Sequence, residues 1–264
     1  MTPAICIEML YPGRPTEEKI RAVADHGFHA IEFWSWRDKD LSAVRQACEE
    51  CGVVVSNFSG HRRGSPVADA THHEVLSDLN EAAAAARRLR CDNLMFLSNE
   101  LGEGGRVTDD FPSIARDTKI RNFEQLLRRI DKAAPAEIQL LIEPLNTVID
   151  HPGCFLSDME TASLLLRNVE SPRLKTLCDL YHMAVMDFDL EELVGAYAGD
   201  IGYVHVADVP GRHEPGTGTI EWDRVLAGLQ NAGYDGWVGF EYEPHDDTDQ
   251  SLEAIRELWD RMSG

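Results

Sequence analysis

The chain has 264 residues, 43% of them hydrophobic, and a formal net charge of −21. With no linker-like or low-complexity stretch, that length reads as one domain over residues 1–264. The charge excludes nucleic acid and anionic membrane as partners, because phosphate binding needs a basic surface. No apolar run reaches the ~20 residues of a bilayer span.

The N-terminal MTPAICIEML lacks the charged and apolar regions of a signal peptide, so a cytoplasmic location is expected. Apolar strand-like runs then alternate with amphipathic helical patterns to the end of the chain. A strand at 5–10 precedes the helix PTEEKIRAVADHG, which opens on Pro15 and Thr16 and stops at Gly27. A strand at 29–34 precedes LSAVRQACEECG, which stops at Gly52. A strand at 53–59 leads through a polar loop to the helix ending EAAAAARRLRC. A strand at 93–99 is followed by a glycine-rich loop and the long helix through NFEQLLRRIDKAA. The last four strands lie in IQLLIEPLN, LKTLCDLYH, IGYVHVAD and WVGFEYEP. Their helices lie near DMETASLLLRNV, LEELVGAYA, WDRVLAGLQNAG and SLEAIRELWDRM. Eight strand–helix units of about 33 residues predict a parallel sheet covered by helices and closed as a (β/α)₈ TIM barrel. An open doubly wound sheet is the alternative, but no GxGxxG follows the first strand.

Four polar residues interrupt the last four strands near their C-terminal ends: Glu143, Asp179, His205 and Glu241, spaced 36, 26 and 36 residues apart. A lone buried carboxylate is costly. Three carboxylates and an imidazole on one barrel rim can instead share a divalent cation, and the oxygen-rich set suits Mn²⁺ or Mg²⁺, with Co²⁺ possible. Such an ion leaves positions for two oxygens of a hydroxy-carbonyl substrate, and Glu143 and Glu241 can then move the proton beside its carbonyl. Each residue also has an ordinary structural reading. Glu143 before Pro144 can tie a strand end, Asp179 can cap a helix, His205 can be a satisfied barrel histidine, and Glu241 or Glu243 can face solvent. Position adds His182, three residues past Asp179, as a substrate-hydroxyl partner or a loop histidine. Arg212, in the loop DVPGRHEPGTG, is a candidate for a substrate carboxylate or a solvated arginine. Trp34 and Trp36 can wall the pocket, and core packing is the other reading for Trp34. Of the six cysteines, only Cys48-Glu-Glu-Cys51 has metal or redox spacing, and without a second pair it reads as incidental.

IEPLNT, CDLYHMAVM, HVADVPGRHEPGTG and GYDGWVGFEYEP resemble the hydroxypyruvate isomerase family of xylose-isomerase-like TIM barrels, clearly from about residue 139 to 244 and more loosely before that. The resemblance implies metal ligation by Glu143, Asp179, His205 and Glu241, with Glu143 and Glu241 doubling as the acid/base pair. It also implies substrate contacts from His182, Arg212 and Glu214. Three departures stand out. Hydroxypyruvate isomerases usually carry Gln where this chain has His205, and histidine at that position resembles the ketose 3-epimerases. Thr219 replaces the usual Glu, and the loops WSWRDKD and SNFSGHRRGS differ from the family's. The leading expectation is a metal-dependent isomerase of a small hydroxy-carbonyl acid of the hydroxypyruvate or 2-oxo-tetronate class, possible as a homo-oligomer. A ketose 3-epimerase is the main alternative, ahead of an inosose-type dehydratase or a non-catalytic sugar-binding barrel. An apurinic endonuclease of the same fold would need a basic DNA groove, which the charge opposes.

Overall fold

The computed structural model describes residues 1–263. Eight parallel strands close into a barrel in sequence order: β1 (Thr2–Cys6), β2 (Ala30–Glu32), β3 (Val54–Ser59), β4 (Asn93–Phe96), β5 (Gln139–Ile142), β6 (Leu174–Asp179), β7 (Ile201–Val206) and β8 (Trp237–Phe240). Around them lie α1 (Thr16–Asp25), α2 (Leu41–Cys51), α3 (His72–Leu89), α4 (Arg116–Ala133), α5 (Met159–Val169), α6 (Leu180–Val185), α7 (Leu190–Tyr197), α8 (Trp222–Asn231) and α9 (Thr248–Ser263). The barrel prediction holds. The strands are shorter than the apolar runs that mark them: β1 ends at Cys6, so Ile7 and Leu10 are buried in the connection beyond it.

Local chemistry sets the helix ends. Asp40 accepts hydrogen bonds from the backbone of Ser42 and Ala43 at the start of α2, and Gly52 closes that helix at φ +67°. Asp158 and Asp189 cap α5 and α7 in the same way. The α2 stripe Val44, Ala47 and Cys48 packs inward at helical spacing. One helix is additional to the expected one per unit. Helix α6 begins immediately after β6 because Asp179 Oδ1 accepts the His182 N–H at 2.9 Å. Among the described residues no helix is long and apolar enough to cross a membrane.

Inside the barrel, side chains of period two stack in layers. Met95, Leu141, Leu177 and Tyr203 form an apolar layer, and the Tyr203 hydroxyl bonds Ser56 Oγ at 2.8 Å. Two residues further along their strands come Glu143, Asp179 and His205. Glu241 stands two residues beyond Gly239, which pairs with His205. Alternation alone therefore turns these polar groups to the barrel axis, above a sealed apolar floor. β5 and β8 end one residue before Glu143 and Glu241, but the Glu143 and Glu241 amides still bond the neighbouring strands at Phe96 O and Val206 O.

Candidate metal centre and active site

Glu143, Asp179, His205 and Glu241 are all buried, and one ligand atom from each lies within 4.8 Å of all the others. His205 is the centre of the group. Its Nε2 lies 3.0 Å from Glu32 Oε1 and 3.1 Å from Oε2. A carboxylate there holds the Nε2 proton and turns Nδ1 towards the other three side chains. Nδ1 is buried and makes no hydrogen bond. It faces Glu241 Oε2 at 3.3 Å, Glu143 Oε1 at 3.5 Å and Asp179 Oδ2 at 3.7 Å. An imidazole nitrogen and three carboxylate oxygens around one point could hold a cation between them, and this donor set fits a hard divalent ion.

The electrostatics are uneven. Burial pushes the Glu143 carboxyl up to about 7, against the pull of His205. Burial also works against ionised Glu241, but Arg212 and then His205 hold it well below the usual carboxylate range. Asp179 is kept down at about 2 by His182 and His205 despite its burial. For His205, burial opposes the charge, and Glu32 and Glu241 more than reverse it, so its pKa stands well above that of free imidazole.

The surrounding groups follow from their elements. Arg212 sits in the loop after β7, at φ +58°. That loop is folded around buried Asp208, which accepts from Val209 N, Gly216 N, Ile220 N and Trp222 Nε1. The Arg212 guanidinium donates to Glu241 Oε2 at 2.5 Å and lies over the Tyr181 ring. Its Nε is buried without an acceptor. Trp34 Nε1 donates to Glu241 Oε1. His182 Nδ1 is paired with Asn146 Nδ2 at 2.7 Å. The Asn146 oxygen already accepts from Ile149 N and Asp150 N, so its amide nitrogen is the donor. His182 is thereby an Nδ1 acceptor and carries its proton on Nε2, 3.5 Å from Asp179 Oδ2. Burial lowers its pKa to about 4, which keeps it neutral.

These groups open onto a cavity of about 270 Å³, walled also by Leu97, Leu145 and His151. That is small for a ligand pocket and suits a compact polar molecule. Of the residues expected here, Trp34, Glu143, His182, Arg212 and Glu241 line this cavity, while Asp179 and His205 lie beneath it. Glu214 does not line it: its Oε2 accepts the His245 N–H at 3.0 Å, tying two loops together on the other side of the β7 connection. Trp36 is likewise outside the wall, packed in the core against Phe58. Cys48 behaves as an inert thiol, pushed up to about 11 by burial. Glu32 is the residue the sequence reading missed. It carries the same signal as the others, a carboxylate at the end of the apolar strand AIEF.

The xylose isomerase-like TIM barrel family model matches residues 20–258. The hydroxypyruvate isomerase of Escherichia coli K12 is 40% identical over 253 residues, covering 93% of this chain and 95% of its own. The chain belongs to the hydroxypyruvate isomerase family. That membership makes it an enzyme of the isomerase class. A putative hydroxypyruvate isomerase of Streptomyces coelicolor is 32% identical over 259 residues, covering 91% of this chain and 90% of its own. Among solved structures, a Brucella melitensis protein titled AP endonuclease, family 2, superposes with a TM-score of 0.87 at 28% identity, covering 97% of this chain and 98% of that one.

Proposed function

We propose that this chain is a divalent-metal-dependent isomerase of a small hydroxy-carbonyl acid, of the hydroxypyruvate or 2-oxo-tetronate class, with Glu143 and Glu241 as its acid/base pair. The observation that carries the metal is His205 Nδ1, buried without a hydrogen bond and facing three carboxylates at 3.3–3.7 Å. Glu143, Asp179, His205 and Glu241 would hold the ion, with Mg²⁺ or Mn²⁺ the best fit and Co²⁺ possible. Once bound, the ion would polarise the substrate carbonyl and acidify the neighbouring C–H.

The protein's own groups then have distinct tasks. Glu143, whose carboxyl titrates near neutrality, takes the proton from the hydroxyl-bearing carbon, and the electron pair moves to the carbonyl to give an enediolate. Glu241, tied by Arg212 and Trp34, returns a proton drawn from solvent to the former carbonyl carbon, and Glu143 gives the proton it took back to solvent to close the cycle. The hydroxyl proton passes to the other oxygen, beside the neutral Nε2–H of His182. For hydroxypyruvate this removes a proton from C3 and adds one to C2, giving tartronate semialdehyde. Arg212 Nε, buried and unpaired, supports a contact to a substrate oxygen next to the ion. A nuclease role is disfavoured by the net charge of −21.

The test is a turnover panel of hydroxypyruvate, 2-oxo-tetronates and ketoses with added Mn²⁺ or Mg²⁺. Acid isomerisation that chelation abolishes and metal restores is the expected result. Epimerisation at C3 of a ketose without acid turnover would make the chain a ketose 3-epimerase, a reading that His205 favours. No turnover of any substrate with metal bound would make it a binding barrel.

A further inference from the structure

The cavity above the candidate metal centre is lined by two arginines, Arg212 and Arg62. They are not equivalent. Arg212 is compensated by Glu241 at 2.5 Å. Arg62 comes from the loop after β3, and among the described residues its guanidinium makes no hydrogen bond, ion pair or ring contact. The same cavity is lined by Glu143, Asp150 and Glu241, yet none of them pairs with Arg62.

The loop that carries Arg62 is firmly held. Asp78, fully buried on α3, accepts the Arg62 N–H at 2.8 Å and the Arg63 N–H at 3.0 Å on Oδ2. Its Oδ1 is taken by the side chains of Arg63 and Arg37. His61 accepts the Leu97 N–H on Nε2, and Gly64 N donates to Glu100 Oε2. Asp78 thus fixes the backbone of Arg62 while its charge is spent on two other arginines. The planar fork of Arg62 is left available to an anion inside the cavity.

We infer that Arg62 binds the substrate carboxylate and sets the preference for a hydroxy-carbonyl acid over its neutral counterpart. Arg212, compensated by Glu241, is then left to the substrate oxygen next to the ion and is not the carboxylate anchor. This inference rests on the isomerase reading given above.

The experiment compares two probes that differ only at the group in question: hydroxypyruvate, and dihydroxyacetone, in which CH₂OH replaces the carboxylate. Dissociation constants and kcat/KM are measured on the Mn²⁺-loaded enzyme for wild type, Arg62→Ala and Arg62→Lys. Wild type should bind the acid more tightly than the neutral probe. Arg62→Ala should reduce that acid-over-neutral ratio by roughly tenfold to a hundredfold, as for loss of a charged hydrogen-bonded pair. Arg62→Lys should recover only part, because a point charge lacks the fork. Melting temperatures should match wild type, since the Asp78 bonds to the loop backbone and to Arg63 remain in each variant. A wild type that binds both probes equally, or a ratio unchanged in Arg62→Ala, overturns the inference. Acid-selective binding without turnover would instead reject the isomerase reading and leave the role of Arg62 standing.

Discussion

Gly239 stands directly opposite His205 in the β7–β8 register, and its missing side chain leaves the space that the Glu32 carboxylate occupies. A Cβ at this position would press against Glu32 Oε1 and come within 2.9 Å of His205 Cδ2. The backbone there is ordinary, so the need for glycine is one of room. Three strands thus cooperate on one imidazole: β2 supplies the acceptor, β7 the ring and β8 the gap.

Glu32→Gln and Gly239→Ala should therefore weaken metal binding although neither replaces a proposed ligand. Outer carboxylates of this kind are worth about 10–100-fold in metal affinity. Titration of Mn²⁺ into each variant checks this. Affinities equal to wild type in both would mean that Glu32 does not orient His205.

Metal uptake should release protons. With protein groups alone, burial opposes the charge on His205 but Glu32 and Glu241 more than reverse it and favour its protonated form, and burial pushes Glu143 up to about 7. An ion that takes the Nδ1 lone pair and the Glu143 oxygen must displace the protons these two groups hold. Affinity should then fall as the pH drops through 7. Calorimetry in two buffers of different ionisation enthalpy counts the protons. A heat of binding that is the same in both buffers would contradict the assignment of His205 and Glu143 as ligands.

The barrel and the four-residue centre were legible because both rest on simple periodicities. Alternation along a strand put Glu143 two positions beyond Leu141 and His205 two beyond Tyr203, on the axis-facing side, and a spacing of about one strand–helix unit put the four residues on successive strands. Asp179 shows that two sequence readings can hold together: its Oδ1 caps α6 while its Oδ2 faces His205. Loops were harder to read. Glu214 lies in the family-like motif beside Arg212, but the chain turns between them, and only the contact with His245 reveals where its carboxylate goes. Asn146, which fixes the His182 tautomer, and Asp78, which holds the Arg62 loop, act across 36 residues and 15–16 residues through loop geometry that no local pattern encodes.

Asp78→Asn should cost stability. One of two oxygens that face only donors becomes an NH₂ group, and the charge that Arg63 and Arg37 share is lost. A hydrogen bond to a charged group is worth about 1.5–3 kcal/mol, so a fall in Tm of roughly 3–10 °C is expected. The pH dependence has a definite sign. Burial raises the Asp78 pKa, but Arg63 and the Arg62 and Arg63 amides lower it further, so the net shift is downward. Its stabilisation is complete above the ordinary aspartate pKa and is lost as pH falls through the lowered folded value. The wild-type advantage over Asp78→Asn in thermal melts should therefore shrink under acid. A difference that grows at low pH would mean that the carboxylate is not what holds this loop.

Glu143→Gln and Glu241→Gln should each abolish most turnover while the barrel survives. Each change removes a proton acceptor, and general acid–base catalysis alone contributes about 10²–10⁴-fold. The two should differ in their side effects. Glu143 has no close donor apart from His205 at 3.5 Å, so beyond weakening the metal its amide breaks no hydrogen bond to a neighbouring loop, and both variants are assayed at saturating Mn²⁺. Glu241 is the shared acceptor of Arg212 and Trp34, so Glu241→Gln frees a buried guanidinium from its counter-charge and should also loosen the loop after β7. Solvent-deuterium exchange at the substrate C–H separates the roles. Loss of exchange in Glu143→Gln with residual exchange in Glu241→Gln would assign Glu143 to proton removal and Glu241 to its return. Near wild-type kcat in both single variants on the physiological acid would remove the acid/base pair from the mechanism and leave the two carboxylates as metal ligands only.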